Sequence, residues 1–250
     1  MEPGAVNDAQ LAHAIAEEAG ALLLRIQADC AGGARGDREA NMLILDRLRA
    51  ARPEDAILSE ESADDPVRLT RSRVWIIDPL DGTREFAERR EDWAVHIALA
   101  IDGAPSVGAV ALPRLGVTLA SDTPPPLAPA QQPPRMLVSR TRASQLCAEV
   151  GSSIGAVHVG MGSAGAKAMA VVRGEAEIYL HSGGQHQWDN CAPVAVALAA
   201  GLHASRIDGT PIVYNQASTS VPDLLICRRE WAAPVLAAVA GCNRWESVTG

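Results

Sequence analysis

Behind the cap-forming pair Asn7-Asp8, the apolar residues Leu11, Ile15, Leu22 and Ile26 recur at helical spacing and predict a first helix. A second helix is predicted from Asp37 through Leu45 and Leu48 to about Arg52, where Pro53 cannot continue it. Val74-Trp75-Ile76-Ile77-Asp78, closed by Pro79, reads as a buried strand. Trp93, Val95, Ile97, Leu99 and Ile101 alternate with smaller or polar residues, the period of a strand. Asp102-Gly103 then turns the chain, and 107–112 returns beside it. The proline-rich stretch 123–135 predicts an exposed connection. Beyond it strands are predicted at 136–139, 156–159, 176–180, Val213-Tyr214 and 224–227. Helices are predicted near 143–151, from Gly162-Ser163, after Asp189 and from about Glu230. With no internal repeat and no heptads, the pattern predicts a layered α/β protein with mixed strand pairing. Its expected division is an N-terminal subdomain over 1–122, a connection over 123–135 and a C-terminal subdomain over 136–250.

The composition narrows the function. The 250 residues carry 22 basic and 30 acidic side chains, a formal net charge of -8. A general nucleic-acid binder needs a cationic surplus and is excluded. Aromatics make up only 3%, so the core must be built from Ala, Val, Leu and Ile. Lys167 is the single lysine in a chain that otherwise uses arginine. Cys30, Cys147, Cys191, Cys227 and Cys242 are odd in number and lack Cys-x-x-Cys spacing, which supports neither a zinc site nor a disulfide framework. The first residues lack the basic start of a secretory signal, and no apolar run reaches membrane-spanning length. A reduced, cytoplasmic protein with no membrane and no nucleic-acid partner is expected.

The densest chemical signal is Asp78-Pro79-Leu80-Asp81-Gly82-Thr83. A turn there lets Asp78 and Asp81 converge, and Gly82 permits close backbone approach before amides that can open a helix. Paired carboxylates beside such amides suit a divalent cation on one side and phosphate on the other, although Asp-Pro and Asp-Gly are also ordinary turn residues. Glu60 and Glu61 follow Ile57-Leu58 at a probable strand end, and Trp188-Asp189 leads into a helix. Glu61 reads better as a solvated acid than as a direct ligand, and Asp189 could serve only as a helix cap. Together, however, these oxygen donors match a hard-cation site and favour magnesium over zinc.

Ser59-Glu60-Glu61, Trp75-Ile76-Ile77-Asp78-Pro79-Leu80-Asp81-Gly82-Thr83 and Trp188-Asp189-Asn190-Cys191-Ala192-Pro193 stand in the order and spacing of the inositol monophosphatase superfamily. The chain resembles those magnesium-dependent, lithium-sensitive phosphatases over most of its length. The resemblance implies an αβαβα sandwich of the inositol monophosphatase/fructose-1,6-bisphosphatase type, often dimeric, with the site between two subdomains. It implies two or three Mg2+ ions held by Glu60, Asp78, Asp81, Asp189 and the Leu80 carbonyl. Gly82 and Thr83 amides would hold the scissile phosphate of a small phosphorylated substrate. Thr83, helped by Glu61 or Asp37, would orient the attacking water; Asp37 could equally be only a helix cap. No nucleophilic Cys or Ser is required, so attack by metal-activated water is the expected chemistry.

Local features resemble the 3'(2'),5'-bisphosphate nucleotidase branch. Arg84-Glu85-Phe86 follows Gly82-Thr83 where inositol enzymes have Thr-Asn-Phe. Ser139-Arg140-Thr141 is similar to a Ser-Arg-Ser-His element, with Arg142 in place of its histidine. Gly162-Ser163-Ala164-Gly165-Ala166-Lys167 is similar to a helix start ending in lysine. Arg140, Gly162, Ser163 and Lys167 are thus candidate contacts for a second anion, against the alternative that Arg84 and Arg140 are solvated surface charges. Seven positions before Asp189, where inositol enzymes place a sugar-binding glutamate, the chain has Ser182. The expected reaction is conversion of adenosine 3',5'-bisphosphate to AMP and phosphate. Inositol 1-phosphatase activity, fructose 1,6-bisphosphatase activity and a silent phospho-ligand-binding role stand as alternatives.

Overall fold

A computed structural model describes residues 6–29, 32–141 and 143–242. Cys30 and Arg142 lie outside them. Helix α1 (Asp8–Ala28) starts at Asn7, whose side chain accepts from the Gln10 amide while Gln10 bonds back to the cap amide. Helix α2 (Gly33–Ala51) begins four residues before the expected start, with Gly32 as an N-cap that offers no side-chain bond. Asp37 therefore lies inside the helix and is buried, so it is not the cap. The early start rests on packing: a Cβ at Gly33 would fall 2.3 Å from Thr83 Cγ2, so only glycine lets this turn lie against Thr83.

The first sheet is built from β1 (Ala56–Ser59), β2 (Arg73–Asp81), β3 (Ala94–Ile101), β4 (Ala104–Leu112) and β5 (Val117–Ala120), in that spatial order. β1 runs parallel to β2, and the other neighbours are antiparallel. A short helix, α3 (Thr83–Ala87), follows β2. Residues 121–134 contain no helix or strand and lead to the second sheet. That sheet contains β6 (Arg135–Ser139), β7 (Val157–Met161), β8 (Ile178–His186), β9 (His203–Ser205) and β10 (Ser220–Cys227), ordered β7-β6-β8-β10-β9. The remaining helices are α4 (Gln145–Ser153), α5 (Ala164–Val172), α6 (Gln187–Ala199) and α7 (Arg229–Gly241).

The alternation along each strand distributes side chains between layers. Trp75, Ile77, Val95, Ile97 and Leu99 pack with Ile15, Leu23, Ile44 and Leu48 of α1 and α2. Val74, Ile76, Ala94, Ala98 and Ala100 face the opposite way, onto a core shared with α5, α6 and one face of the second sheet. Met136, Ile178, Leu180 and Leu225 form the last core, against α4 and α7. The order is therefore helices, sheet, helices, sheet, helices, the αβαβα arrangement the resemblance implies. Both faces of β3 are buried, so its alternation is large against small rather than inside against outside. Each fully buried aliphatic side chain contributes about 1.5–3 kcal/mol.

Several expectations are corrected. Pro79 does not end β2, which continues to Asp81 through a register shift against β3. The strand expected at 176–180 runs on through Gly183-Gly184 to His186 as β8, while β5 and β9 have no counterpart in the predicted elements. Val213-Tyr214 is not a strand: Tyr214 donates its amide to Gly103 O (2.9 Å) and its hydroxyl to Asn190 Oδ1 (2.8 Å), which fixes an irregular segment. The buried Arg68 pairs with Asp64 and donates to Asn215 Oδ1 and Gln216 O, tying the loop after β1 to that segment. No helix among the described residues is long and apolar enough to cross a membrane.

The middle layer approaches the first sheet closely at Gly108, where a Cβ would lie 2.6 Å from Ala192 O and 2.8 Å from Ala195 Cβ. Gly108→Ala should therefore lower the unfolding free energy by about 1–3 kcal/mol through overpacking, read from the urea midpoint at unchanged slope. A midpoint at or above wild type would contradict this packing.

Candidate active site

The parallel pairing of β1 with β2 brings two strand ends to one side. Ser59 lies opposite Ile77, and the Glu60 amide donates to Ile77 O (3.2 Å), so Glu60 emerges beside Asp78. Asp78 and Asp81 are three residues apart and would face opposite ways on an unbroken strand. The register shift between them, Asp78 opposite His96 but Asp81 opposite Ala94, inserts one residue and turns both carboxylates to the same side. Asp189 arrives from the first turn of α6. One carboxylate oxygen from each of Asp78, Asp81 and Asp189 lies within 4.8 Å of the others.

Each of these acids is held by a backbone amide. Asp78 Oδ1 accepts from Leu80 N (3.0 Å), Asp81 Oδ2 from Gly165 N (2.7 Å), and Asp189 Oδ2 from His186 N (2.6 Å). Asp81 Oδ2 also accepts from Ser163 Oγ (2.5 Å). Asp189 thus does serve a capping box, but with His186 as the N-cap and Asp189 at the third helical position. Capping occupies only one of its oxygens.

The acids repel one another. Burial, then the charges of Asp81, Glu60 and Asp189, push the Asp78 carboxyl well above its ordinary range. Burial raises Glu60 as well, with Asp81 and Glu61 adding to the shift and a hydrogen bond with Asp78 opposing it. Burial and Asp81 push Asp189 up to about 7. Burial, with Glu61 and Glu60 nearby, pushes Asp37 up to about 7. Converging, amide-oriented carboxylates fit a hard divalent cation, whose charge would relieve this repulsion.

Beside them, Gly82 adopts φ 93°, ψ 45° and caps α3. Its missing Cβ leaves 3.2 Å to both Ser163 Cβ and Trp93 Cβ, so residue 82 must be glycine for conformation and space alike. Thr83 opens α3, and its hydroxyl donates to the Leu80 carbonyl (3.4 Å). A cleft of about 300 Å³ opens here, lined by Asp81, Gly82, Thr83 and Asp189 together with Arg140, Gly162, Ser163 and Lys167.

Both candidate cations on the cleft wall already have partners. Lys167 Nζ donates to Ser163 O (2.6 Å), Gly162 O (3.0 Å) and Met161 O (3.5 Å) and lies 5.2 Å from the centre of the Tyr179 ring. Burial lowers its pKa, while the charges of Asp81, Glu85, Asp92 and Asp189 support its protonated form. Arg140 pairs with Glu85 (3.0 Å) and Glu88 (2.8 Å). Ser182 is not on the cleft wall: its hydroxyl bonds with Ser144 Oγ (2.7 Å) at the start of α4, and His181 faces the cleft instead.

His96 was not among the sequence candidates. It is fully buried, donates from Nδ1 to Trp188 O (3.0 Å) and sets Nε2 3.4 Å from Asp81 Oδ2. A Cβ at Gly165 would lie 2.0 Å from that nitrogen, so the glycine makes room for the ring. The available signal was a lone titratable residue inside the apolar run of β3. Asp92 was also missed; it accepts from the Gly162 amide (2.7 Å) and anchors the start of α5.

An acidic cluster able to hold a cation, facing a cleft that also presents Arg84, Arg140 and Lys167, fits a metal-dependent phosphatase centre. The chain belongs to the inositol monophosphatase family, whose model matches residues 33–123 and 131–243. It is 50% identical over 243 residues to the 3'-phosphoadenosine 5'-phosphate phosphatase of Mycobacterium tuberculosis (strain CDC 1551 / Oshkosh), covering 91% of each chain. It is 32% identical over 193 residues to the 3'(2'),5'-bisphosphate nucleotidase CysQ of Escherichia coli (strain K12), covering 72% of this chain and 78% of that one. Among solved structures, CysQ from Bacteroides thetaiotaomicron superposes with TM-score 0.76 at 24% identity, covering 88% of this chain and 97% of that one. An inositol monophosphatase from Anabaena (Nostoc) sp. PCC 7120 shares the fold with TM-score 0.76 at 22% identity, covering 93% and 95%.

The raised carboxyls set a pH dependence. In the folded chain Asp189 and Asp37 hold protons up to about pH 7, whereas in the unfolded chain they release them in the ordinary carboxylate range. The folded state therefore binds more protons, and stability falls as pH rises through that window. Burial depresses His96 and His203, which act oppositely at lower pH, so the clean comparison begins at about pH 6.5. In chelator, wild type should melt at a lower temperature at about pH 8.5 than at about pH 6.5. Asp189→Asn should flatten the difference; an equal slope in the variant would remove the repulsion account.

Proposed function

We propose that the protein is a magnesium-dependent 3'(2'),5'-bisphosphate nucleotidase that converts adenosine 3',5'-bisphosphate to AMP and phosphate. The observation that carries this reading is the 50% identity, across 91% of both chains, to a protein named for removing phosphate from this compound. Supporting it, the basic-Glu-Phe segment Arg84-Glu85-Phe86 follows Thr83, and its Arg84 and Glu85 line the cleft beside the acidic cluster. The complete acid set disfavours a silent binding role. Because Ser182 bonds to α4 outside the cleft, its replacement of a glutamate does not separate nucleotide from inositol substrates. Inositol 1-phosphate and fructose 1,6-bisphosphate remain secondary substrates in this reading.

Glu60, Asp78, Asp81, Asp189 and the Leu80 carbonyl would hold two or three magnesium ions. When bound, magnesium supplies the positive charge that neutralises a phosphate dianion, acidifies water and stabilises the leaving oxygen. The chain's own residues do the positioning. The amides of Gly82 and Thr83, at the start of α3, hold the scissile phosphate. The Thr83 hydroxyl orients the attacking water, and Asp37 or Glu61 accepts its proton. Asp37, titrating near 7, is suited to that exchange at neutral pH. Lys167 spends its N–H groups on carbonyls and acts on a second phosphate through its charge, whereas Arg140 offers directed donors. Lithium inhibition, a cytoplasmic location and a homodimer complete the proposed reading.

A magnesium-supported panel should give a higher kcat/KM for adenosine 3',5'-bisphosphate than for inositol 1-phosphate, with inhibition by lithium; the reverse ranking would overturn the substrate assignment. Asp81→Asn or Asp189→Asn should reduce kcat by more than about a hundredfold at saturating magnesium while the far-ultraviolet spectrum stays native. Near-wild-type turnover in either would refute the ligand assignment. Lys167→Ala should lower kcat/KM for the bisphosphate about tenfold and harm a monophosphate less; equal losses would confine Lys167 to a structural role.

A further inference from the structure

Arg140 stands just past the end of β6 and reaches two carboxylates of the α3 segment. Its Nη2 donates to Glu85 Oε1 at 3.0 Å and to Glu88 Oε2 at 2.8 Å. One guanidinium nitrogen thus serves two carboxylates.

The two carboxylates differ in how firmly they are held. Glu85 is nine-tenths buried and fills the slot left by Gly162, where a Cβ would sit 2.3 Å from Glu85 Cγ. Stripping Arg140 from Glu85 would strand a charge inside the wall. Glu88 lies at the C-terminal end of α3 with its side chain 44% exposed, and it can turn into water at little cost. An incoming anion that takes the Nη2 donor now facing Glu88 displaces that carboxylate.

Resting on the nucleotidase reading above, we propose that Glu88 determines specificity as a competing anion for the distal phosphate. Its carboxylate occupies the Arg140 donor that the non-reacting phosphate takes, while Glu85 keeps the guanidinium in place. A substrate with one phosphate, bound at Gly82 and Thr83, leaves the Arg140–Glu88 pair closed. A bisphosphate must open it. The chain thereby trades affinity for its substrate against indiscriminate anion capture on an arginine that Glu85 alone would hold.

The test is a double-mutant cycle with adenosine 3',5'-bisphosphate and inositol 1-phosphate in magnesium. Glu88→Gln should lower KM for the bisphosphate about two- to fivefold, the range expected for loss of a partly exposed ion pair. It should leave kcat and the monophosphate kinetics unchanged, and high salt should shrink the effect. In an Arg140→Lys or Arg140→Ala background the gain should vanish, with thermal melts confirming that these proteins are folded. AMP, which keeps only the distal phosphate, should inhibit Glu88→Gln more tightly than wild type. A gain shared equally by both substrates, no gain at all, or a gain that survives without Arg140 would overturn the proposal while leaving the nucleotidase reading intact. Wild type that hydrolyses inositol 1-phosphate but not the bisphosphate would overturn both.

Discussion

Like charges gathered at one edge of the first sheet are the constraint on which the rest of this structure depends. Burial and repulsion, part of it from Asp81, disfavour the ionised forms of Asp78, Asp189 and Glu60, so these acids would separate if their chains were free to move. The fold prevents that separation with backbone groups. A parallel strand pair, a single inserted residue and a helix start each deliver carboxylates to the same place, and an amide fixes one oxygen of each aspartate in the trio. The arrangement stores repulsion in the metal-free chain that a cation relieves.

Glycine makes this crowding possible in a recurrent way. Gly33 admits the Thr83 methyl, Gly162 admits Glu85, and Gly165 admits the His96 ring. Gly108 does the same for the backbone of α6. Small residues on the inner faces of β3 and along α5 and α6 have the same effect across the middle layer, which is why a chain so poor in aromatics still closes three cores.

Much of this was legible in the residues, for physical reasons that differ by element. Asn7-Asp8 and the 93–101 alternation carry local signals that the structure follows, whereas Asp78 and Asp81 converge through a register shift within β2 rather than through a turn at Pro79. The acids Glu60, Asp78, Asp81 and Asp189 stand out because carboxylates after apolar runs are costly unless used. The start of α2 was hidden because its glycines form helix only through contact with Thr83, which lies far along the chain. Tyr214 was hidden for the same reason: its apolar neighbours resemble a strand, yet Asn190 and Gly103 dictate its path. Counting back from Asp189 landed on Ser182, but spacing along a chain does not report that Gly183 and Gly184 continue a strand and leave His181 on the cleft. His96 carried a weak signal, since one polar residue in an apolar run does not name its partner.

Helix α6 lies between the sheets, packed against β2, β3 and β4 on one side and β8, β9 and β10 on the other, and it carries Asp189 in its first turn. A helix gripped from both sides cannot slide without disturbing two cores. Shear between the sheets is therefore felt first as a change in the distance from Asp189 to the acids of β2. A cation held by these acids would brace the stack from within, and the stack in turn would set how well it fits. Packing far from the cleft, down to a single methyl group between α6 and β4, would then be part of that cation's affinity.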